Sequence, residues 1–200
     1  MVESSPRHET PSGRQDRGAR ARQAILDAAD DLLLEAGFAG MTIEGVAARA
    51  GVAKQTIYRW WRSKVDLLLD SLLDDVDAEL PPPDSGSLAG DLRQHLRNLA
   101  AFLAAAPAGR VLCALIGQAQ HDPQVAKALR ERYLDPRREL DRQMLRRAVK
   151  RGTLDTESDM DALLDALEGP VYFRILATAR AVDDAFIDAL LAQIPLAGPS

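Results

Sequence analysis

Residues 42–64 read Thr-Ile-Glu-Gly-Val-Ala-Ala-Arg-Ala-Gly-Val-Ala-Lys-Gln-Thr-Ile-Tyr-Arg-Trp-Trp-Arg-Ser-Lys. Five cations (Arg49, Lys54, Arg59, Arg62 and Lys64) fall between Gly45 and Val65, and no acid does. Gln beside Lys or Arg can read adenine and guanine edges, while Thr, Tyr and Lys can clamp a phosphate backbone. Two short helices must position these groups. Thr42 is a fitting N-cap for the first, Ile43 to Ala50, because its hydroxyl can accept a first-turn N–H. Gly51-Val52-Ala53 makes the turn, and Lys54 to Trp61 forms the second. Small Ala47 and apolar Val52 and Ile57 suit a helix crossing. This is helix-turn-helix logic, in which the second helix enters the major groove.

The bulk charge points the other way. The 200-residue chain carries a formal charge of −5 and a pI near 5.3, whereas a nucleic-acid binder is expected to be basic. The average hides a division. Residues 1–64 carry ten basic and eight acidic side chains, and residues 65–200 carry fifteen and twenty-two. The excess acid is therefore kept away from the basic window.

Periodicity predicts an all-α chain of about nine helices. The first spans about 18–36, with Gly37 as its stop and Phe38 anchoring the loop. A long fourth helix carries Val65, Leu68, Leu72, Val76 and Leu80. Pro81-Pro82-Pro83 breaks the chain. Beyond it come a fifth helix (Leu88 to Leu103, ended by Pro107) and a short sixth (Val111 to Gln120). A long seventh starts after the Asp122 cap, with a kink or restart expected at Pro136. The eighth runs from Met160 through Ile175, and a ninth starts at Asp183 or Asp184. The domains expected are a disordered basic arm over 1–18, a DNA-binding domain over 19–79 and a second helical domain over 80–200. Arg14, Arg17, Arg20 and Arg22 are either solvated or steer the arm toward phosphates.

Gly37-Phe38, Met41-Thr42, Val46-Ala47…Ala50-Gly51-Val52, Thr56-Ile57-Tyr58 and Ser63-Lys64 before a leucine-rich helix resemble the TetR family of transcriptional regulators. The likeness covers about 19–79; the C-terminal half is similar in kind. The resemblance implies phosphate contacts at Thr42, Tyr58 and Lys64. It implies a recognition surface of Lys54, Gln55, Thr56 and Arg59, with Trp60 either touching a sugar-phosphate or methyl edge or packing against the first helix. Trp61 matches the family's core aromatic. Ala53 departs from the usual capping Ser.

It further implies a homodimer on a palindromic double-stranded DNA operator, released when a small apolar molecule binds the C-terminal domain. A mainly apolar pocket is expected, with Leu99, Phe102, Leu115, Ile116, Tyr133, Met144 and Phe173 as candidate walls and plain core as the favoured alternative for each. A dimer interface is expected on the last two helices through Leu163, Leu167, Val171, Phe186, Leu190 and Ile194, with an intrachain core as the competing role for each.

No catalytic residue, metal site or cofactor is expected. His8, His95 and His121 lack partners at metal-ligand spacing, and Cys113 reads as a small buried hydrophobe. No signal-peptide core or apolar stretch of about 18 residues occurs, so the cytoplasm is the expected compartment and no membrane contact is predicted. Two other classes stay open: a dimeric regulator that binds no ligand, and a helical small-molecule enzyme with a recruited helix-turn-helix.

Overall fold

The computed structural model describes residues 11–155 and 159–193, with side chains in the first helix from residue 17 onward. Among these residues there are nine helices and no strand. They are α1 (Pro11–Gly40), α2 (Ile43–Ala50), α3 (Lys54–Tyr58), α4 (Lys64–Glu79), α5 (Leu88–Ala105) and α6 (Pro107–Ala119). Helix α7 joins Pro123–Leu129, a π-helical turn Arg130–Leu134 and Asp135–Lys150; α8 joins Met160–Tyr172 and a π-helical turn Phe173–Ala177; α9 is Asp184–Leu191. No single helix among the described residues is long and apolar enough to cross a membrane.

Three details bear on the expected helices. Helix α1 begins at Pro11, inside the segment expected to be an arm. Proline suits a first helical position, and extending a helix that is already packed costs less than nucleating one. Residues 1–10 of the expected arm lie outside the described residues. Second, the kink or restart expected at Pro136 takes the form of a π turn, after which the α-helix resumes at Asp135. The Asp135 N–H reaches back to the Arg130 carbonyl, so the helix widens just before the proline that lacks a donor. Third, the chain separates into compact units between Ser71 and Leu72. Helix α4 therefore contributes to both.

In the N-terminal unit, Ile25, Leu26, Ala29 and Leu33 of α1 are buried together with Val46, Ala47, Ile57 and Trp61. Gly51 takes φ 67°, ψ 32°, a left-handed conformation that glycine adopts without Cβ strain. It lets the chain turn sharply from α2 into α3. The Trp61 indole donates to Asp70 at 2.8 Å, and the Arg22 guanidinium lies 5.8 Å from the same ring. Arg22, expected to be solvated or DNA-directed, is thus part of the packing.

The C-terminal unit is organised around α5, which contacts α6, α7, α8 and α9. Its Leu92, Leu96, Leu99 and Phe102 are buried. The proline-rich linker is tied down by side chains of α7 and α5. Arg137 donates to the Leu80 carbonyl and Arg147 to the Pro83 carbonyl, each at 2.7 Å. Ser85 donates through both its N–H and its hydroxyl to buried Asp91 at 2.6 Å. Helices α5 and α6 approach so closely at Gly109 that a Cβ there would stand 1.8 Å from the Phe102 carbonyl oxygen. Gly109→Ala must push the helices apart, at a cost of about 1–3 kcal/mol. Its melting temperature is expected to fall by roughly 2–4 °C per kcal/mol; a thermal melt superimposable on the parent's would refute this close approach.

Candidate nucleic-acid interface

A five-residue α3 supplies the exposed face. Thr42 is extended at φ −124°, ψ 152°, and its hydroxyl oxygen accepts the Gly45 N–H at 3.0 Å. That cap is worth about 1 kcal/mol and leaves the hydroxyl proton free to donate to a phosphate oxygen. Ala53 starts α3 with no side-chain cap. Ile57 turns inward and is fully buried, so its neighbours must face out. Lys54, Gln55 and Arg59 are exposed and Thr56 is half-buried. Tyr58 is 48% exposed and Trp60 42% exposed. Trp60 meets Trp61 edge-to-face, with ring centroids 5.5 Å apart. Buried Trp61 thereby supports an exposed Trp60 from below.

The basic window is partly neutralised in space. Arg49 grips Glu35, with one of its two bonds at 2.8 Å, and Lys54 pairs with Glu44. Each acid is held below the usual carboxylate range by hydrogen bonding from its cation. Arg59 and Arg62 are exposed and have no acidic partner among the described residues. These two cations carry more of the positive face than the linear count of five suggests.

Lys64 is engaged within its own chain. Its ammonium donates to the Phe38 carbonyl at 2.7 Å and the Met41 carbonyl at 3.4 Å, and lies 4.1 Å from the Phe38 ring centroid. Burial lowers its pKa. A cation is favoured at the unsatisfied carbonyls that follow a helix. Lys64 thereby ties down the segment that leads into Thr42.

The apolar residues expected to form a pocket are mostly core. Leu99, Phe102, Leu115 and Met144 are packed inside the unit, Ile116 is half-buried, and Phe173 is 63% exposed. Only Tyr133 of the seven lines either of the two cavities described here. One, of about 560 Å³, has Arg97, Ala100, Ala104, Ile175, Val182 and Ile187 among its walls. The other, of about 420 Å³, lies between α7 and α8, with walls that include Tyr133, Arg137, Arg138, Asp141, Glu168 and Tyr172. Helical spacing marks a buried face, and burying that face in the chain's own core is the commoner way to remove it from water.

The candidate interface residues divide in burial. Leu167, Val171 and Leu190 are buried within their own chain, while Leu163 and Phe186 are half-buried. Ile194 lies outside the described residues. The outward faces of α8 and α9 carry Ala162, Ala166, Gly169 and Phe173, and Ala185 and Ala189.

A buried polar cluster escapes linear reading. His95 Nε2 lies 3.0 Å from Glu168, and Nδ1 lies 3.7 Å from Asp141, which is itself 3.5 Å from Arg137 Nε. One signal was available: Asp91 and His95 share the face of α5 marked by Leu88, Leu92 and Leu99. Cys113 is half-buried, and burial raises its thiol pKa, which suits an inert thiol.

Comparison with known proteins agrees with this architecture. The family model for bacterial regulatory proteins of the tetR family matches residues 25–70, and that for the tetracyclin repressor-like C-terminal domain matches residues 82–194. The chain is 39% identical over 171 residues to the HTH-type transcriptional regulator YdeS of Bacillus subtilis, covering 86% of each. It is 31% identical to the DNA-binding transcriptional repressor TetR of Mycobacteroides abscessus, covering 90% of this chain and 94% of that one. The crystal structure of the TetR family transcription regulator SCO0332 superimposes with a TM-score of 0.72 at 40% identity, covering 86% of this chain and 95% of that one. With both family models matched in order, and an exposed α3 built on a buried Ile57 and Trp61, the chain belongs to the TetR family of DNA-binding transcriptional regulators.

Proposed function

We propose that the protein is a ligand-responsive homodimeric repressor. Two copies of α3 engage successive major grooves of a palindromic operator, and a small molecule bound in the C-terminal unit releases them. The observation that carries the reading is the exposed row of Gln55 and Tyr58 on α3, continued by Arg59 and Trp60 in the turn after it, over a side sealed by Ile57. Gln55 and Arg59 suit base edges, while Thr42 and Tyr58 suit phosphates. Half-sites one helical turn apart require a two-fold dimer. The outward faces of α8 and α9, with small residues that admit close approach, are its proposed interface. The repressor role is supported by the name of the relative from Mycobacteroides abscessus. For the effector to act, it must bind the operator-bound and released forms unequally. Helix α4, whose residues belong to both units, is the element proposed to carry the shift.

Gel-shift titration against palindromic operator DNA selected from a random library tests the DNA face. Arg59→Ala is expected to weaken binding by about 1–3 kcal/mol and to relax base preference. Tyr58→Ala should weaken it evenly across sequences; unchanged affinity in both variants would overturn the assigned face. Salt dependence separates the two roles for Lys64. A phosphate-contacting lysine lowers the slope of log K against log salt by about 1 when removed. Lys64→Met is expected to keep the slope while lowering both melting temperature and affinity, because it removes a tie. For the interface, Ala166→Glu is expected to reduce the light-scattering mass from a dimer's to the 21.8 kDa of one chain, and to abolish tight operator binding with it.

A further inference from the structure

Asp141 is 4% exposed and lines the cavity between α7 and α8, yet no hydrogen bond reaches its carboxylate among the described residues. His95 and Arg137 stand beside it at 3.7 and 3.5 Å, beyond ordinary hydrogen-bond length. Burial raises its pKa. The Tyr133 and Tyr172 phenols line the same cavity and likewise have no hydrogen-bond partner among the described residues. The Asp141 oxygens are not among the atoms sealed from solvent, so they open on the cavity, and a largely desolvated carboxylate favours a donor or cation brought to it there.

The alternatives fit less well. Three guanidinium nitrogens, Arg137 Nε and Nη2 and Arg138 Nη1, are also unpartnered, but they are sealed from solvent, so an anion entering the cavity cannot reach them. His95, Asp141 and Glu168 are close enough to suggest a metal. However, His95 Nε2 is already engaged with Glu168 at 3.0 Å, and guanidiniums flank both carboxylates. An organic ammonium suits the site better, since it needs one anionic acceptor, Asp141, and the two phenol oxygens lining the cavity can accept its remaining N–H groups, whereas a metal needs a full set of free ligands.

We propose that this cavity takes a small molecule bearing an ammonium group, seated on the Asp141 carboxylate beside Tyr133 and Tyr172, and that such an amine is the effector. The second half of this statement rests on the ligand-responsive reading above. Asp141 pairs with Arg137, and Arg137 also holds the Leu80 carbonyl just beyond α4. An amine that draws Asp141 away from Arg137 thus alters the hold on the end of α4.

The test uses the full chain with benzylamine and 1,5-diaminopentane as probes. Benzyl alcohol, benzoate and Zn²⁺ serve as the neutral, anionic and metal comparisons. At least one amine is expected to raise the melting temperature saturably, by roughly 5 °C or more at one hundred times its Kd. Asp141→Asn should weaken that amine at least tenfold by calorimetry. The proposal is overturned if neither amine binds, if benzyl alcohol or benzoate binds as well as benzylamine, if Zn²⁺ alone binds, or if Asp141→Asn retains full amine affinity. Should Asp141→Asn fail to fold, the comparison of benzylamine with benzyl alcohol on the parent decides alone. A gel shift separates the two claims. An amine that binds at Asp141 without releasing operator leaves the site standing and removes ligand release by amines. Release by an amine-free compound, with no amine bound, removes the site and keeps the regulator reading.

Discussion

A helix of five residues has no stability of its own, because nucleating a single turn already costs more than one hydrogen bond returns. The DNA-reading face therefore depends on what holds α3 from behind. Ile57 is fully buried against the N-terminal core, and Trp61, one turn later, is buried with its indole N–H given to Asp70. Gly51 sets the turn at one end, and Lys64 ties the chain entering α2 by binding the Phe38 and Met41 carbonyls. With those anchors in place, the residues between and beyond them have no freedom except to point outward. Exposure of Tyr58 and Trp60 is a consequence of where Ile57 and Trp61 are buried.

The C-terminal unit solves a different problem. It must hold a proline-rich linker that cannot form its own helical hydrogen bonds, and it uses arginines of α7 to do so. Arg137 and Arg147 satisfy carbonyls at Leu80 and Pro83, while Asp91 gathers the Ser85 donors. The cost is a set of charges inside the domain, and these meet in the His95, Asp141 and Glu168 cluster. Buried ionic groups of this kind contribute less to stability than apolar residues of equal volume would. Their presence along a cavity wall makes that wall polar, where the linear pattern of leucines and phenylalanines pointed to an apolar one.

The fold was legible because the signals behind it are local. Apolar spacing, the Thr42 and Asp122 caps, Gly51 and the three prolines each act within a few residues, and they place nearly every helix. The helix-turn-helix was legible for the same reason, since its cap, its turn and its buried Ile57 and Trp61 lie within one short stretch. What the buried faces of the C-terminal half pack against was not. Leu99, Phe102 and Met144 carry a buried-face signal, and so would a pocket wall; spacing says that a side chain faces inward and is silent about what it faces. Lys64 shows the same ambiguity for charge, because a lysine beside a DNA-reading helix can point to a phosphate or to a carbonyl of its own chain.

By itself, the sequence determined the all-helical architecture, the helix-turn-helix and the segregation of basic from acidic halves, all of which follow from periodicity, caps and local composition. Only the tertiary structure decided which cations remain unpaired, that Lys64 is a tie, and that the cavity between α7 and α8 is walled by ionisable groups. The physical reason is range. Arg49 meets Glu35 across 14 residues, and His95 meets Glu168 across 73. A charge acts on whatever lies within a few ångströms of it, and at those separations along the chain only the packing of helices determines what that is.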